Sequence, residues 1–140
     1  MNIIQENEDN IQMQCMSKET EDKNPKLFNP QEAFMLGNLF KNLYMTYCGF
    51  SNYCLQPQSR RQRALLDVQM YGFVAHEINL FLDMHPKNQR MAELYIEYAN
   101  KAKEAQHIFE KEFGPLSVQN SSDKVPFEWI ECPWPWEYQS

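Results

Sequence analysis

No stretch of this chain is long and apolar enough to span a membrane. A secretory signal would need basic residues and then an apolar run, but the N-terminus carries Glu6, Glu8 and Asp9 there. Both features predict synthesis and residence on the cytosolic side. The chain also lacks a basic excess: its formal net charge is -6, which argues against nucleic acid as the main partner. It has no glycine-rich phosphate loop and no nucleophile elbow. Its four cysteines, Cys15, Cys48, Cys54 and Cys132, are scattered and spell out no disulfide framework. Cys48 and Cys54 have a loop spacing that would need two further ligands to hold zinc, and none is adjacent.

What is present is unevenly distributed. Aromatic residues make up 14% of the chain, yet the mean hydropathy is -0.67, so the apolar residues are concentrated in a few stretches. At 140 residues the chain holds one domain with tails. Residues 1–26 carry six acids (Glu6, Glu8, Asp9, Glu19, Glu21, Asp22) against Lys18, Lys23 and Lys26. With few large apolar side chains, this arm is expected to be disordered.

Next, Asn29 is a good N-cap, Pro30 a good first helical residue and Glu32 a capping-box partner, predicting a short helix from Pro30 to about Leu36. Gly37 supplies a left-handed stop, and a further turn through Leu39, Phe40 and Leu43 follows. Residues 45–58 read as a linker. From Ser59 the pattern is strongly helical, with Ala64, Val68, Tyr71, Ala75, Ile78 and Leu82 on one face. Leu65, Phe73, Val74 and Phe81 widen this surface. His85-Pro86 stops the helix, and a second helix is expected to begin at once with Pro86 near its first position. Its stripe is Met91, Leu94, Tyr95, Tyr98, Ala102, Ala105, Ile108 and Phe109, and Gly114-Pro115 ends it. Each helix has about 25 residues and is about 38 Å long.

Two helices alone do not enclose a core, and a segment of ~55 residues is marginal for independent stability. The hairpin is therefore built to be covered, by residues 27–47, by the C-terminal tail or by another molecule. That tail holds all three tryptophans, in Trp129-Ile130-Glu131-Cys132-Pro133-Trp134-Pro135-Trp136-Glu137. Its prolines bar it from a helix or sheet interior and favour an extended backbone. Tryptophan is enriched where a large apolar face docks. The tail reads equally as an adhesive for partners and as a lid on its own domain.

Four blocks in order carry a family resemblance: Glu77-Ile78-Asn79-Leu80-Phe81-Leu82-Asp83-Met84-His85-Pro86, Leu94-Tyr95-Ile96-Glu97-Tyr98, Phe113-Gly114-Pro115-Leu116 and Pro133-Trp134-Pro135-Trp136-Glu137. Together they resemble the CotJB family of bacterial endospore coat proteins over roughly residues 60–137. The chain departs from the family pattern at Met84, where threonine is usual, and at Phe81 and Phe113, where tyrosine is common. Asn29 through Tyr44 to Tyr47 is similar to the C-terminal end of the companion coat protein CotJA. The resemblance implies a structural component of the spore coat, made in the mother-cell cytoplasm and deposited with other coat proteins. One of these is CotJC, which resembles a manganese catalase.

The catalytic alternatives are weaker. Glu104-Ala105-Gln106-His107 is one half of a dimetal carboxylate motif, but no second Glu-x-x-His exists in the chain. His76 reads as an interfacial histidine. Asp83 and His85 read as turn chemistry, and Glu77 and Asn79 as groups that satisfy buried backbone or partner atoms. Arg60, Arg61 and Arg63 read as a solvated patch or a contact for an acidic partner. Tyr44, Tyr47 and Tyr53 read as packing residues, with oxidative cross-linking as the alternative.

The expected fold is all-α. Residues 1–26 form an acidic arm, 27–58 a CotJA-like segment and linker, and 59–140 a CotJB-like helical hairpin with an extended tail. The expected function is structural and non-catalytic, with no cofactor and no metal. Its alternative is an accessory subunit that binds a manganese catalase-like coat protein. The expected contact residues are Phe34, Leu36, Phe40, Tyr44, Phe73, Phe81, Trp129, Trp134 and Trp136. The expected partners are other coat proteins, together with self-association.

Overall fold

A computed structural model describes residues 24–44 and 55–130. The readings of residues 1–23 as a disordered arm and of 45–54 as linker lie outside the described residues, as do all four cysteines, Tyr47, Tyr53, Trp134 and Trp136. Among the described residues there are three α-helices and no extended strand: α1 (Pro30–Leu36), α2 (Arg60–Met84) and α3 (Gln89–Phe113).

Helix α1 forms where the sequence places its signals. The Asn29 side chain accepts the Glu32 N–H at 2.9 Å, and the Glu32 carboxylate accepts the Asn29 N–H at 3.4 Å. This reciprocal box, with Pro30 at the start, nucleates a helix of only seven residues. Gly37 ends it at φ 69°, a left-handed conformation that costs glycine no Cβ clash. The chain then turns back. The Asn38 side chain accepts the Phe40 N–H at 2.8 Å, and a single antiparallel bridge joins Leu27 to Phe40. At this neck the Phe28 N–H donates to the Leu39 carbonyl and the Lys41 N–H to the Lys26 carbonyl, both at 2.9 Å. A 3-10 turn over Lys41–Leu43 follows. Residues 24–44 thus form a clip, closed at its neck by backbone hydrogen bonds of its own.

Helices α2 and α3 are the arms of the antiparallel hairpin. Ser59 caps α2 by accepting the Gln62 N–H at 3.1 Å, while Gln62 reaches back to the Ser59 N–H at 3.3 Å. The helix ends at Met84, as the His85-Pro86 stop requires. Helix α3 does not begin at Pro86. Its cap is Asn88, whose side-chain oxygen accepts the Met91 N–H at 3.1 Å, and its first residue is Gln89. Proline can open a helix, but it has no side-chain acceptor for an orphan amide, whereas Asn88 two residues later has one. Pro86 sits in the turn instead. Gly114 closes α3 at φ 100°.

At the open end the two helices are tied by Arg60 to Glu112 at 2.7 Å and by Arg61 over the Phe109 ring at 5.6 Å. The core sits between the hairpin and the clip. Ala33, Leu39 and Phe40 from the clip pack with Val74, Ile78 and Met91 from the hairpin in one buried cluster. Half of this cluster comes from outside the hairpin. Ile108, read from sequence as part of the α3 stripe, is 46% exposed. The stripe drifts off the contact face near the helix end, where Phe109 is buried instead.

Candidate functional site: the clip-docking face of the hairpin

Helical periodicity places Leu66, Met70, Phe73, Glu77 and Phe81 along one side of α2, three or four residues apart. The clip lies along this side. Phe34 meets Phe73 edge-on with ring centroids 5.9 Å apart. Phe40 stacks on Phe81 at 5.3 Å and 27°. The His85 ring in turn lies 4.4 Å from Phe81. Aromatic pairs of this kind are each worth about 0.5–1.5 kcal/mol beyond the area they bury.

One polar contact fixes the register within this apolar surface. The Glu77 carboxylate accepts the Leu39 N–H at 3.3 Å across 38 residues of sequence. Leu39 is 1% exposed, so its amide would otherwise be cut off from water without a partner, which costs roughly 1–3 kcal/mol. A second tie comes from α3: the Arg90 guanidinium donates to the Asn24 side chain and, at 3.3 Å, to the Pro25 carbonyl. Past Phe34, an open cavity of about 130 Å³ continues between α1, the first turns of α2 and the segment before α2, with Phe34, Met35, Leu55, Pro57, Leu66 and Met70 among its lining. Arg63 and Asp67 are the charged side chains lining it.

The expected contact residues therefore fall into groups. Phe34, Phe40, Phe73 and Phe81 are brought together and face one another. Tyr44 packs edge-on against Phe28 at 5.8 Å, and Leu36 is half-buried on α1. Trp129 is half-buried in a short 3-10 turn over Glu128–Ile130, away from this cluster in sequence. Asn79 and Asp83 are exposed. His85 acts through its backbone as well as its ring: its N–H donates to the Phe81 carbonyl at 2.9 Å and its carbonyl accepts the Asn88 N–H at 3.0 Å.

A second polar site holds the segment after α3. One oxygen of Glu110 accepts from the Gln106 side chain at 3.0 Å, the Leu116 N–H at 3.1 Å and the Asn120 side chain at 2.8 Å. Burial alone would raise the Glu110 pKa. These three donors, with nearby His107, outweigh it and hold the carboxyl below its ordinary value. Farther along, Ser122 donates to Glu128 and lowers the Glu128 carboxyl as well.

Sequence reasoning missed Asn88, Arg90 and Glu110. Asn88 carried a readable signal, an asparagine just before an apolar stripe. Arg90 and Glu110 sit on polar faces and gain their roles only from segments that fold onto them. Glu104 and His107 are exposed. Among the described residues, no three His, Cys, Asp or Glu side chains converge as a metal cluster, and no helix is long and apolar enough to cross a membrane.

The arrangement is one of docking: a ready-made apolar face, one carboxylate that reads a backbone amide, and one guanidinium that reads a carbonyl. The model of the CotJB protein family matches residues 62–137, more than half of the chain. No curated protein and no solved structure matches it.

Proposed function

We propose that this chain, which belongs to the CotJB family, is a structural, non-catalytic component of the bacterial endospore coat that assembles with other coat proteins through apolar and aromatic surfaces. The family is one of spore coat proteins. The observation that carries the reading is the reach of the family match. It runs from the first turn of the hairpin through Trp134, Trp136 and Glu137, so the family pattern takes in the tail sequence as well as the hairpin. The docking face supports it, since this hairpin completes its core by accepting another segment.

Phe34, Phe40, Phe73 and Phe81 serve assembly from within by holding the clip against the hairpin. We assign contacts with partners to Trp129, Trp134 and Trp136, and to side chains left in water such as Leu80 (48% exposed) and Met84 (78%).

Deleting the encoding gene in its spore-forming host and fractionating the spores tests the proposal. The chain should be recovered from the coat layer of the parent, and the deletion should change the set of coat proteins extracted. Recovery of the chain only from the mother-cell lysate would overturn it. Co-purification with a manganese catalase-like coat protein whose specific activity changes on binding would favour the accessory-subunit reading instead.

A further inference from the structure

Between α1 and the first turns of α2 the fold leaves a cavity of about 130 Å³ open to solvent. Its walls are apolar: Phe34 and Met35 come from α1, Leu66 and Met70 from α2, and Pro57 from the segment before α2. Two charged side chains, Arg63 and Asp67, stand one helical turn apart on the α2 wall. That spacing allows them to pair, yet among the described residues neither has a hydrogen bond or an ion pair. Asp67 is half-buried and Arg63 is exposed. A carboxylate drawn partly out of water needs a donor. The wall thus offers an acceptor inside the mouth and a cation at the rim, both without a protein partner among the described residues.

We propose that this cavity is a socket for the tail of a second copy of the chain, with Trp136 of that copy as the plug and its Glu137 on Arg63. The occupant must bring three things together: an aromatic ring, an N–H donor for Asp67 and an acid for Arg63. A cavity of this volume takes up about one six-membered aromatic ring. Indole joins such a ring to a single N–H donor and no acceptor, and a carboxylate forms strong charge-assisted bonds with a guanidinium. Trp136-Glu137 sets the ring and the acid side by side. Pro133 and Pro135, just before them, remove backbone donors and favour an extended chain that lies on a surface without a sheet or helix partner. Grooves lined by apolar and aromatic side chains commonly bind segments of this kind. Trp129 does not fit the role, because its neighbour Glu128 already accepts from Ser122. The chain's own path also leads away from its cavity. Arg90, which holds the clip, and Glu110, which holds Leu116 and Asn120, lie about 200° apart around α3 at 3.6 residues per turn. The segment after α3 therefore sets out along the face opposite the clip, whereas the cavity opens on the clip's side, next to α1. A neighbouring molecule brings its tail to the mouth from outside. Each copy carries one plug and one socket, so two copies that exchange tails close into a dimer.

The inference rests on the assembly role proposed above for the tail tryptophans, and deepens it by naming their partner and its socket. Light scattering of the purified full-length chain tests it. Between ~1 µM and ~1 mM, the span of ordinary to weak affinities, the mass should rise from the 16.7 kDa of one chain toward twice that value. Trp136→Ala removes the plug and should weaken association by about 30-fold or more. Arg63→Glu sets two acids against each other at the rim and should weaken it by at least about ten-fold. Adding Glu137→Lys to Arg63→Glu restores the pair with its signs exchanged and should recover most of that loss. Adding Glu104→Lys instead restores the same net charge at an exposed site on α3 and should recover none of it. Should Arg63→Glu lose its helical circular dichroism, Arg63→Gln is read by the same criterion. A full-length chain that stays at the single-chain mass up to ~1 mM overturns the inference. So does association that Trp136→Ala and Arg63→Glu leave unchanged, or that Glu104→Lys rescues as well as Glu137→Lys. A chain absent from the coat that still associates in this pattern would overturn the coat role and leave the socket standing. A coat-borne chain that fails to associate would do the reverse.

Discussion

The hairpin carries two covers, and they hold on by different physics. The clip, residues 24–44, buries Ala33, Leu39 and Phe40 against Val74, Ile78 and Met91. The segment after α3, residues 114–130, adds no side chain to that buried cluster: Trp129 is half-buried, and Val125 is 96% exposed. Its hydrogen bonds to α3 run to the Glu110 carboxylate, from the Leu116 amide and the Asn120 side chain. Apolar burial of the first kind is non-directional, insensitive to pH and worth about 25 cal/mol per Å². Hydrogen bonds to a partly exposed carboxylate are directional and weaken when it is protonated. One cover is thus part of the core, and the other is a strap.

The largest break in this comparison comes from the clip side of the core. Leu39→Ala should cost about 2–5 kcal/mol of unfolding free energy, because it removes a buried side chain and leaves a cavity against the hairpin. Ile78→Ala, on the opposite wall, should cost a similar amount. Chemical denaturation followed by circular dichroism measures both, and a loss below ~0.5 kcal/mol, the range of ordinary surface substitutions, would show that the clip is not part of the core.

Next in size is Glu77→Ala. It leaves the Leu39 amide without its acceptor, and a half-buried, 3.3 Å bond to a carboxylate should be worth about 1 kcal/mol. Glu77→Gln keeps an acceptor oxygen and should recover most of that loss, whereas Glu77→Met keeps the bulk without the acceptor and should not, which a simple packing role for Glu77 would not explain.

The strap should respond to acid. The folded carboxyl of Glu110 titrates below its unfolded value. Its contribution is therefore complete above the unfolded carboxyl range and disappears as pH falls through the lower, folded pKa. Below about pH 4, amide exchange at Leu116 should accelerate while amides in the middle of α2 stay protected. Equal loss of protection in both places would erase the distinction between strap and core. The smallest effect belongs to Lys101→Ala. Its 2.6 Å pair with Glu97 is exposed and lies one turn along the same helix, so it should contribute no more than about 0.5 kcal/mol.

Much of the architecture was legible because its signals are local. The Asn29-Pro30-x-Glu32 start, the Gly37 stop, the Ser59 cap and the His85-Pro86 break each act within a few residues, and the helices obey them. The need for a cover was legible too, since two amphipathic helices leave apolar surface unpaired. Which segment provides it was not, because residues 27–47 and the tryptophan tail both offered aromatic side chains. Among the described residues, residues 27–44 take that role through pairings across long sequence separations: Phe34 with Phe73, Phe40 with Phe81, and Leu39 with Glu77. The start of α3 was misplaced because Pro86 and Asn88 both carry helix-start chemistry, and capping the Met91 amide favours the asparagine. Glu110 looked like any solvated glutamate until the chain beyond Gly114 folded back onto it.

The central claim is that the clip completes the core of the hairpin. Hydrogen–deuterium exchange of the full-length chain and its Ala33→Asp variant tests it most directly, because Ala33 is fully buried in the clip. A carboxylate there should expel the clip. The account predicts that the variant loses protection around Val74, Ile78 and Met91 by at least ten-fold, about 1.4 kcal/mol of opening free energy. Unchanged protection at those amides, with the variant folded, would contradict it.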